Sequence, residues 1–279
     1  MCGKIIDGKK IADELIDEIA KEVSEKKVSP SLAVILVGND PASEIYVKNK
    51  EKASKKAGFN SQLIRFDESI SEKELIMAIK KMNNDKTIHG FIVQLPLPKH
   101  ISQEKIIDSI SPQKDADGFT TTNLGNMFVG KKAIPPATAV AVLKMLESIE
   151  KDFRGKNVVI VGASNIVGKP LAILLLNKFA TVTICNVNTI NLSKHTKQAD
   201  ILVVAAGKAN LITKEMVKEG SIIIDVGINK VDGKLCGDVS KDVFEIAGYV
   251  SPVPGGVGPV TVTSLLKNTL ECMKLQGLI

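Results

Sequence analysis

The chain has no tryptophan, two tyrosines and 4% aromatic residues in all, so it offers few surfaces on which nucleic-acid bases could stack. Its four cysteines, Cys2, Cys185, Cys236 and Cys272, lie far apart, without the paired spacing of a zinc or dithiol motif. The three histidines, His89, His100 and His195, are equally scattered, and no metal site is expected. No apolar run approaches membrane-spanning length, and the opening residues lack the charged-then-apolar order of a signal segment. Those absences lead us to expect a cytoplasmic protein with no membrane partner. Internal repeats and low-complexity tracts are also lacking.

What remains is 279 residues, 44% hydrophobic and 24% charged, an ordinary globular composition with enough chain for one large domain or two. The net charge of +6 comes mostly from lysines on helices, such as Lys48, Lys50, Lys52, Lys55 and Lys56. A solvated, lysine-rich helix face accounts for them. A small anionic substrate would also be drawn by that field, whereas a nucleic-acid partner is disfavoured for want of aromatics.

Apolar residues at Ile11, Leu15, Ile19 and Val23 recur at helical spacing, and the run Leu32–Gly38 follows as a buried strand. A helix is expected from Pro41 to Ala57, a strand over Leu63–Phe66, a helix over Glu72–Met82 and a strand in the run Gly90–Leu95. After a loop-rich stretch around 111–136 the pattern restarts, with strands at Val158–Gly162, Thr181–Ile184, Ile201–Ala205 and Ile222–Val226. Wholly apolar strands alternating with helices indicate α/β architecture with mainly parallel sheets flanked by helices. Two domains are expected, 1–139 and 140–257, with the terminal helical segment 258–279 packing back on the first.

Several segments carry chemistry. Val158–Pro170 reads as a buried strand ending in Gly162, then Ala163-Ser164-Asn165-Ile166-Val167, then Gly168 and Pro170 opening a helix. This is a variant of the dinucleotide-binding turn, although glycine-ended strand–helix turns also serve structural roles. The next strand ends in Cys185-Asn186-Val187-Asn188-Thr189, without the carboxylate that usually holds an NAD ribose. That absence permits NADP, and NAD stays possible because no arginine clamp stands there; Lys169 and Lys194 read as solvated or as phosphate partners. Tyr46 and Lys50 are i,i+4 neighbours on a helix face, Gln94 ends a buried strand, and Asp115 and Asp117 share a loop closed by Gly118. Singly these are a solvated lysine, a loop-capping amide and a turn-forming carboxylate as readily as a site. Finally, Pro252-Val253-Pro254-Gly255-Gly256-Val257-Gly258-Pro259 packs three prolines and three glycines into eight residues before a helix expected over Val260–Leu275. Such a turn is rigid, admits close backbone approach and suits phosphate or carboxylate at the helix start, or is a strained surface turn alone.

Gly38-Asn39-Asp40-Pro41-Ala42-Ser43 with Tyr46 and Lys50, Val93–Pro98, Lys114–Gly118, Gly162–Pro170 and Pro252–Pro259, taken in order, resemble the bifunctional methylenetetrahydrofolate dehydrogenase/methenyltetrahydrofolate cyclohydrolase family. Asp225-Val226-Gly227-Ile228-Asn229 and Gly237-Asp238-Val239 fit as well. The resemblance implies a folate-binding catalytic domain in 1–139 and a Rossmann-like NAD(P)-binding domain in 140–257. It implies oxidation of methylenetetrahydrofolate with NADP, hydrolysis of the methenyl product, and a homodimer. It makes Lys50 the proton-handling residue, held by Gln94, with Tyr46 stacking on the aminobenzoyl ring and Asp117 gripping the pterin. Ser43, Pro254, Gly255 and Gly256 would line the folate. Thr138, Gly162, Ala163, Ser164, Ile166, Val167, Gly168 and Ile228 would hold the cofactor.

Two stretches depart from the family pattern. Pro136-Ala137-Thr138-Ala139-Val140 stands where many members have Pro-Cys-Thr-Pro-x-Gly, and Asn186-Val187-Asn188 stands where many have a histidine and a serine or basic residue. A member with one activity only is the nearest alternative. A catalytically silent nucleotide sensor would be expected to have lost part of the proton-transfer set. A hydroxy-acid dehydrogenase of the same architecture would leave Tyr46, Lys50 and Asp117 unexplained.

Overall fold

A computed structural model describes residues 3–279, the side chains of residues 41 and 42 excepted, so Cys2 lies outside the described residues. In chain order the first elements are β1 (Lys4–Ile5), α1 (Gly8–Glu25), β2 (Ser31–Val37), α2 (Pro41–Lys56), β3 (Asn60–Phe66), α3 (Glu72–Asn84), β4 (Gly90–Val93), α4 (Gln103–Asp108), α5 (Thr121–Phe128) and α6 (Ala137–Glu147). Then come β5 (Asn157–Val161), α7 (Gly168–Leu176), β6 (Thr181–Cys185), α8 (Leu192–Thr196), β7 (Ile201–Val204), β8 (Ile222–Asp225), β9 (Asn229–Val231), β10 (Lys234–Cys236), β11 (Tyr249–Val250) and α9 (Val257–Leu275).

The chain forms two compact units. One comprises Glu14–Ala137 and Val262–Ile279; the other comprises the residues up to Asp13 and Thr138–Thr261. Residues up to Asp13 therefore join the second unit, where the sequence placed them in the first. The cause is β1, which pairs in parallel with β11, Lys4 opposite Tyr249 and Ile5 opposite Val250. Strands of two residues have no periodicity to read, and their pairing is settled only by what surrounds them.

In the first of these units β2 is central in a parallel sheet ordered β3-β2-β4. Every residue of β2 is buried, as expected of a strand covered on both faces. One face packs on Ile16, Ile19, Val47, Ala53, Leu265, Leu266 and Leu270; the other packs on Leu75, Ile79, Phe91 and Ile106. By contrast β3 (Asn-Ser-Gln-Leu-Ile-Arg-Phe) is an edge strand and half exposed, so the expectation of wholly apolar strands fails there. Ser71 caps α3 in a reciprocal capping box with Glu74, and Leu75, Ile79 and Met82 form its buried face.

The other unit holds a parallel sheet ordered β1-β11-β8-β7-β5-β6. The chain moves from β5 to β6 on one side and returns to β7 on the other side of β5. That reversal is the switch point at which open α/β sheets take ligands. An antiparallel ribbon of β9 and β10 hangs beyond β8, which the sequence patterning did not predict.

Candidate active site

Three segments of the unit built on β2 deliver polar side chains to the carboxyl ends of its strands. The first is α2, which begins after β2. Asp40 caps it, its Oδ2 accepting the backbone N–H and hydroxyl of Ser43, each at 2.8 Å. Ser43 is thereby buried inside the helix start. Val47 and Ala53 face the core, which leaves Tyr46 and Lys50 half-buried one turn apart.

The second segment is the end of β4. The Gln94 N–H donates to the Ile35 carbonyl at 2.8 Å, continuing the ladder with β2. Its side-chain Nε2 donates to the Leu95 carbonyl at 2.8 Å, which leaves Oε1 to accept from Lys50 Nζ at 2.8 Å. The amide orientation is thus fixed from behind, and with it the position of the ammonium.

The third segment, Lys114–Ala116, runs beside β4. Phe91 N–H donates to the Lys114 carbonyl at 2.9 Å, and Ala116 N–H donates to the Phe91 carbonyl at 3.3 Å. The two carboxylates of this loop divide their tasks. Asp115 is buried and accepts from Gly118 N–H (2.9 Å), Thr120 N–H (2.8 Å) and Asn123 Nδ2 (3.1 Å). It is a turn former. Asp117 has no hydrogen-bond donor to its carboxylate among the described residues, and it lies within electrostatic reach of Lys50.

Burial shapes both charges. It lowers the pKa of Lys50, a shift that the Asp117 carboxylate partly opposes. Desolvation raises Asp117 to about 6 against the pull of Lys50, helped by the neighbouring Asp115 charge. Burial also raises the Tyr46 phenol, so it stays protonated near neutrality. The set is an amine that can shed its proton more easily than usual, oriented by an amide, beside an open carboxylate and an aromatic ring.

In the other unit, Gly162 at the end of β5 has φ +123°, and a Cβ there would stand 2.2 Å from the Ala205 carbonyl oxygen. A Cβ on Gly168 would stand 1.8 Å from the Gly162 carbonyl oxygen. Only glycine fits either place, and the loop between them folds tightly at the switch point beside β5. Ser164 Oγ accepts from Val167 N–H at 3.1 Å and its carbonyl accepts from Lys169 N–H at 3.1 Å, which leads the chain into α7. Lys169 Nζ itself donates to Asn165 Oδ1 at 2.7 Å. At the end of β6, Asn186 folds a turn: its N–H donates to Thr189 Oγ1 at 2.8 Å and its Oδ1 accepts from Asn188 N–H at 2.9 Å. Val187 projects fully into solvent at 98% exposure, and no carboxylate stands at this strand end to repel a ribose phosphate.

These features match known proteins over nearly the whole chain. The family model described as tetrahydrofolate dehydrogenase/cyclohydrolase, catalytic domain, matches residues 6–117, and its NAD(P)-binding domain counterpart matches residues 136–277. The chain belongs to the tetrahydrofolate dehydrogenase/cyclohydrolase family. The bifunctional protein FolD of Cupriavidus pinatubonensis is 52% identical over 276 residues, 97% of this chain and 98% of that one. The crystal structure of the bifunctional FolD methylenetetrahydrofolate dehydrogenase/cyclohydrolase of Campylobacter jejuni superposes with a TM-score of 0.94 at 44% identity, covering 98% of this chain and 99% of that one. The N5,N10-methylenetetrahydrofolate dehydrogenase-cyclohydrolase of Trypanosoma brucei, solved with NADP and an inhibitor, has a TM-score of 0.94 at 35% identity and full coverage of both chains.

Within this tetrahydrofolate dehydrogenase/cyclohydrolase chain, Ser43, Tyr46, Lys50, Gln94 and Asp117 fall in one compact unit. Thr138, the Gly162–Gly168 loop, Ile228, Pro254, Gly255 and Gly256 fall in the other. Pro254 is exposed, whereas Gly256 is buried against Gly8 at the start of α1. The helix after this turn starts at Val257, three residues before the expected Val260, and Pro259 occupies its first turn, where a missing N–H costs nothing. Sequence reasoning assigned no part to Asn268, whose Nδ2 donates to the carbonyls of Ala116 and Pro135, each at 2.9 Å, and so anchors the Asp117 loop. A lone asparagine inside an apolar helical run was the available signal. No group of three or more His, Cys, Asp and Glu side chains that could hold a metal occurs among the described residues.

Proposed function

We infer that this chain oxidises 5,10-methylenetetrahydrofolate to 5,10-methenyltetrahydrofolate with NADP and hydrolyses the methenyl form to 10-formyltetrahydrofolate. Membership of the family supports both reactions. For the site itself, the observation that carries the reading is the Lys50 Nζ to Gln94 Oε1 hydrogen bond beside an Asp117 carboxylate that no donor among the described residues satisfies.

Loss of hydride from the methylene carbon leaves a cation shared with the two flanking folate nitrogens. In the hydrolysis, water adds to that carbon, a C–O bond forms and one proton is lost to give a neutral carbinol. The bond to N5 then breaks as N5 takes a proton and the hydroxyl gives up its own to become the formyl C=O, so that one proton is released overall. Lys50 handles these protons. Desolvation lowers its pKa, so the neutral amine that can accept from water is more accessible than for a solvated lysine. Gln94 holds the amine in place. Asp117 accepts from the adjacent ring N–H and amino group of the pterin, a charge-assisted pair that the open carboxylate favours. Tyr46 stacks on the aminobenzoyl ring, and Ser43, Pro254, Gly255 and Gly256 line the folate.

NADP, when bound, supplies the hydride acceptor. The close-packed glycines at 162 and 168 admit a dinucleotide's phosphates to the backbone at the switch point, and the carboxylate-free turn at Asn186–Thr189 tolerates a ribose phosphate. Thr138, Ala163, Ser164, Ile166, Val167 and Ile228 complete the cofactor's surroundings, and NAD is the weaker alternative.

The same reading includes a homodimer and a cytoplasmic location. The edge position of β3, whose outer backbone groups have no strand partner among the described residues, supports an assembly through that edge. No helix among the described residues is long and apolar enough to cross a membrane. Light scattering after size exclusion and subcellular fractionation test the two statements.

The decisive assay supplies methylenetetrahydrofolate with NADP and, in parallel, with NAD. Reduction of NADP followed by decay of the methenyl absorbance is expected. Turnover with NAD alone would reverse the cofactor assignment, and hydrolysis of added methenyltetrahydrofolate without any reduction would leave a cyclohydrolase only.

A further inference from the structure

Two buried carboxylates in the nucleotide-side unit have no part in the chemistry above. Asp225, the last residue of β8, is 4% exposed, and Asp238, after β10, is fully buried. Asp225 Oδ1 accepts from Gly227 N–H at 2.9 Å and Asp238 N–H at 3.0 Å, and its Oδ2 accepts from Val239 N–H at 2.9 Å. Asp238 Oδ2 accepts from Ala206 N–H at 2.7 Å and Gly207 N–H at 2.8 Å, while its Oδ1 accepts from Asn229 Nδ2 at 2.8 Å. Both negative charges are held by neutral donors, five of the six being backbone amides.

The donors belong to particular places. Ala206 and Gly207 follow β7, Gly227 and Asn229 bracket the loop that follows β8, and both loops stand at the carboxyl ends of parallel strands. The chain has been stripped of side chains to let the carboxylates in. A Cβ on Gly227 would stand 2.2 Å from Asp238 Oδ1, and one on Gly237 would stand 1.8 Å from Asp225 Oδ2. Leu202, Val204 and Ile223 of β7 and β8 pack in the apolar cluster beneath, which Val239, a donor to Asp225, also joins. What the clamp adds is order in loops past the strand ends, including Ile228, which is 51% exposed between two tethered neighbours.

We propose that Asp225 and Asp238 are positioning residues of the cofactor site, fixing the 206–207 and 226–229 loops in the shape that receives NADP. The proposal rests on the functional reading above in that NADP is the ligand of this sheet edge. It assigns the clamp to cofactor affinity and not to the proton chemistry at Lys50.

The test measures NADP binding by calorimetry and hydrolysis of added methenyltetrahydrofolate, without NADP, on the full-length chain and three variants. Asp238→Ala is expected to weaken NADP binding at least about tenfold while hydrolysis stays within about twofold. Asn229→Ala, at a half-buried position that tolerates truncation, removes one tether and is expected to weaken binding about threefold. Asp238→Asn is expected to bind nearly as wild type, because the new amide can still accept both backbone N–H groups and the Asn229 amide can turn to meet it. A purely structural role would lower hydrolysis and melting temperature together with binding, and that pattern, or unchanged NADP binding in both alanine variants, would overturn the proposal. If wild type binds NADP but turns over no folate, the substrate assignment fails and the clamp is still judged by binding. If Asp238→Ala does not fold, Asn229→Ala decides. Absence of NADP binding in wild type would sink both.

Discussion

Burial raises two carboxyls to about 6, Asp117 in the folate-side unit and Asp225 in the nucleotide-side unit, and what meets their oxygens differs. Asp225 accepts three backbone amides and shares its surroundings with Asp238. Asp117 accepts none among the described residues and faces Lys50. A carboxylate saturated by amides organises the chain around it. One left open in a desolvated place is unfavourable until something arrives to use it, which is how a binding group differs from a structural one. The same contrast recurs within the folate-side loop, where Asp115 is consumed by Gly118, Thr120 and Asn123, two positions before the open Asp117.

The sharpest way to isolate the open site is Lys50→Met. It should lower methenyl hydrolysis by about a thousandfold or more while NADP binding, measured by calorimetry, stays at the wild-type level. Full hydrolysis by this variant would remove Lys50 from the mechanism. Next in size, Asp117→Ala should weaken folate binding by about ten- to a hundredfold with little change for NADP, because a charge-assisted pair is lost on one side only. Equal folate affinity would show that the open carboxylate is not a ligand group.

Neutralising each carboxyl separates the two kinds directly. A folded-state pKa raised from 3.8 means that folding favours the protonated form. The stability it confers is complete below 3.8 and lost as pH rises through about 6. Asp117→Asn should therefore stabilise the protein by about 1–2 kcal/mol at pH 8, less than the full linkage because Lys50 loses its partner, and by nothing measurable at pH 3. Asp225→Asn also removes a charge, yet it turns an amide NH2 onto backbone donors. It should be less stable than wild type by about 1–2 kcal/mol at neutral pH. Urea midpoints at the two pH values give both, and a gain from both substitutions would erase the distinction between them.

The smallest effect concerns the pH profile. Hydrolysis that needs the neutral Lys50 amine rises with pH through the Lys50 pKa. The Asp117 charge raises that pKa, so Asp117→Asn should move the rise in kcat to lower pH. A shift to higher pH would mean that Lys50 acts in its protonated form.

Much of this was legible before any coordinates. The apolar run of β2 and the helix over Glu72–Met82 follow from side-chain burial and helical spacing, and neither needs distant information. Lys50 and Tyr46 could be put on one helix face by spacing alone, and Gln94 at a strand end by its place after an apolar run. Their partners could not. That Gln94 meets Lys50 was expected only from the family resemblance, and spacing alone could not place it. That Asp115 is consumed while Asp117 stays open depends on Gly118, Thr120 and Asn123 closing on Asp115. The pairing of β1 with β11 was invisible for the same reason, as was the edge position of β3, which was expected as a strand over Leu63–Phe66 but whose exposure follows from having no outer strand neighbour among the described residues.

The amino-acid order by itself determined the parallel α/β architecture and the glycine-bearing turn after β5, because helical and strand periodicities and steric demands on glycine act over a few residues. It gave the residues of a folate site only through the family resemblance. Only the tertiary structure decided which carboxylates are spent and which are free. The energy of a buried charge depends on the donors, charges and water within a few ångströms, and those are brought there by segments far apart in the chain.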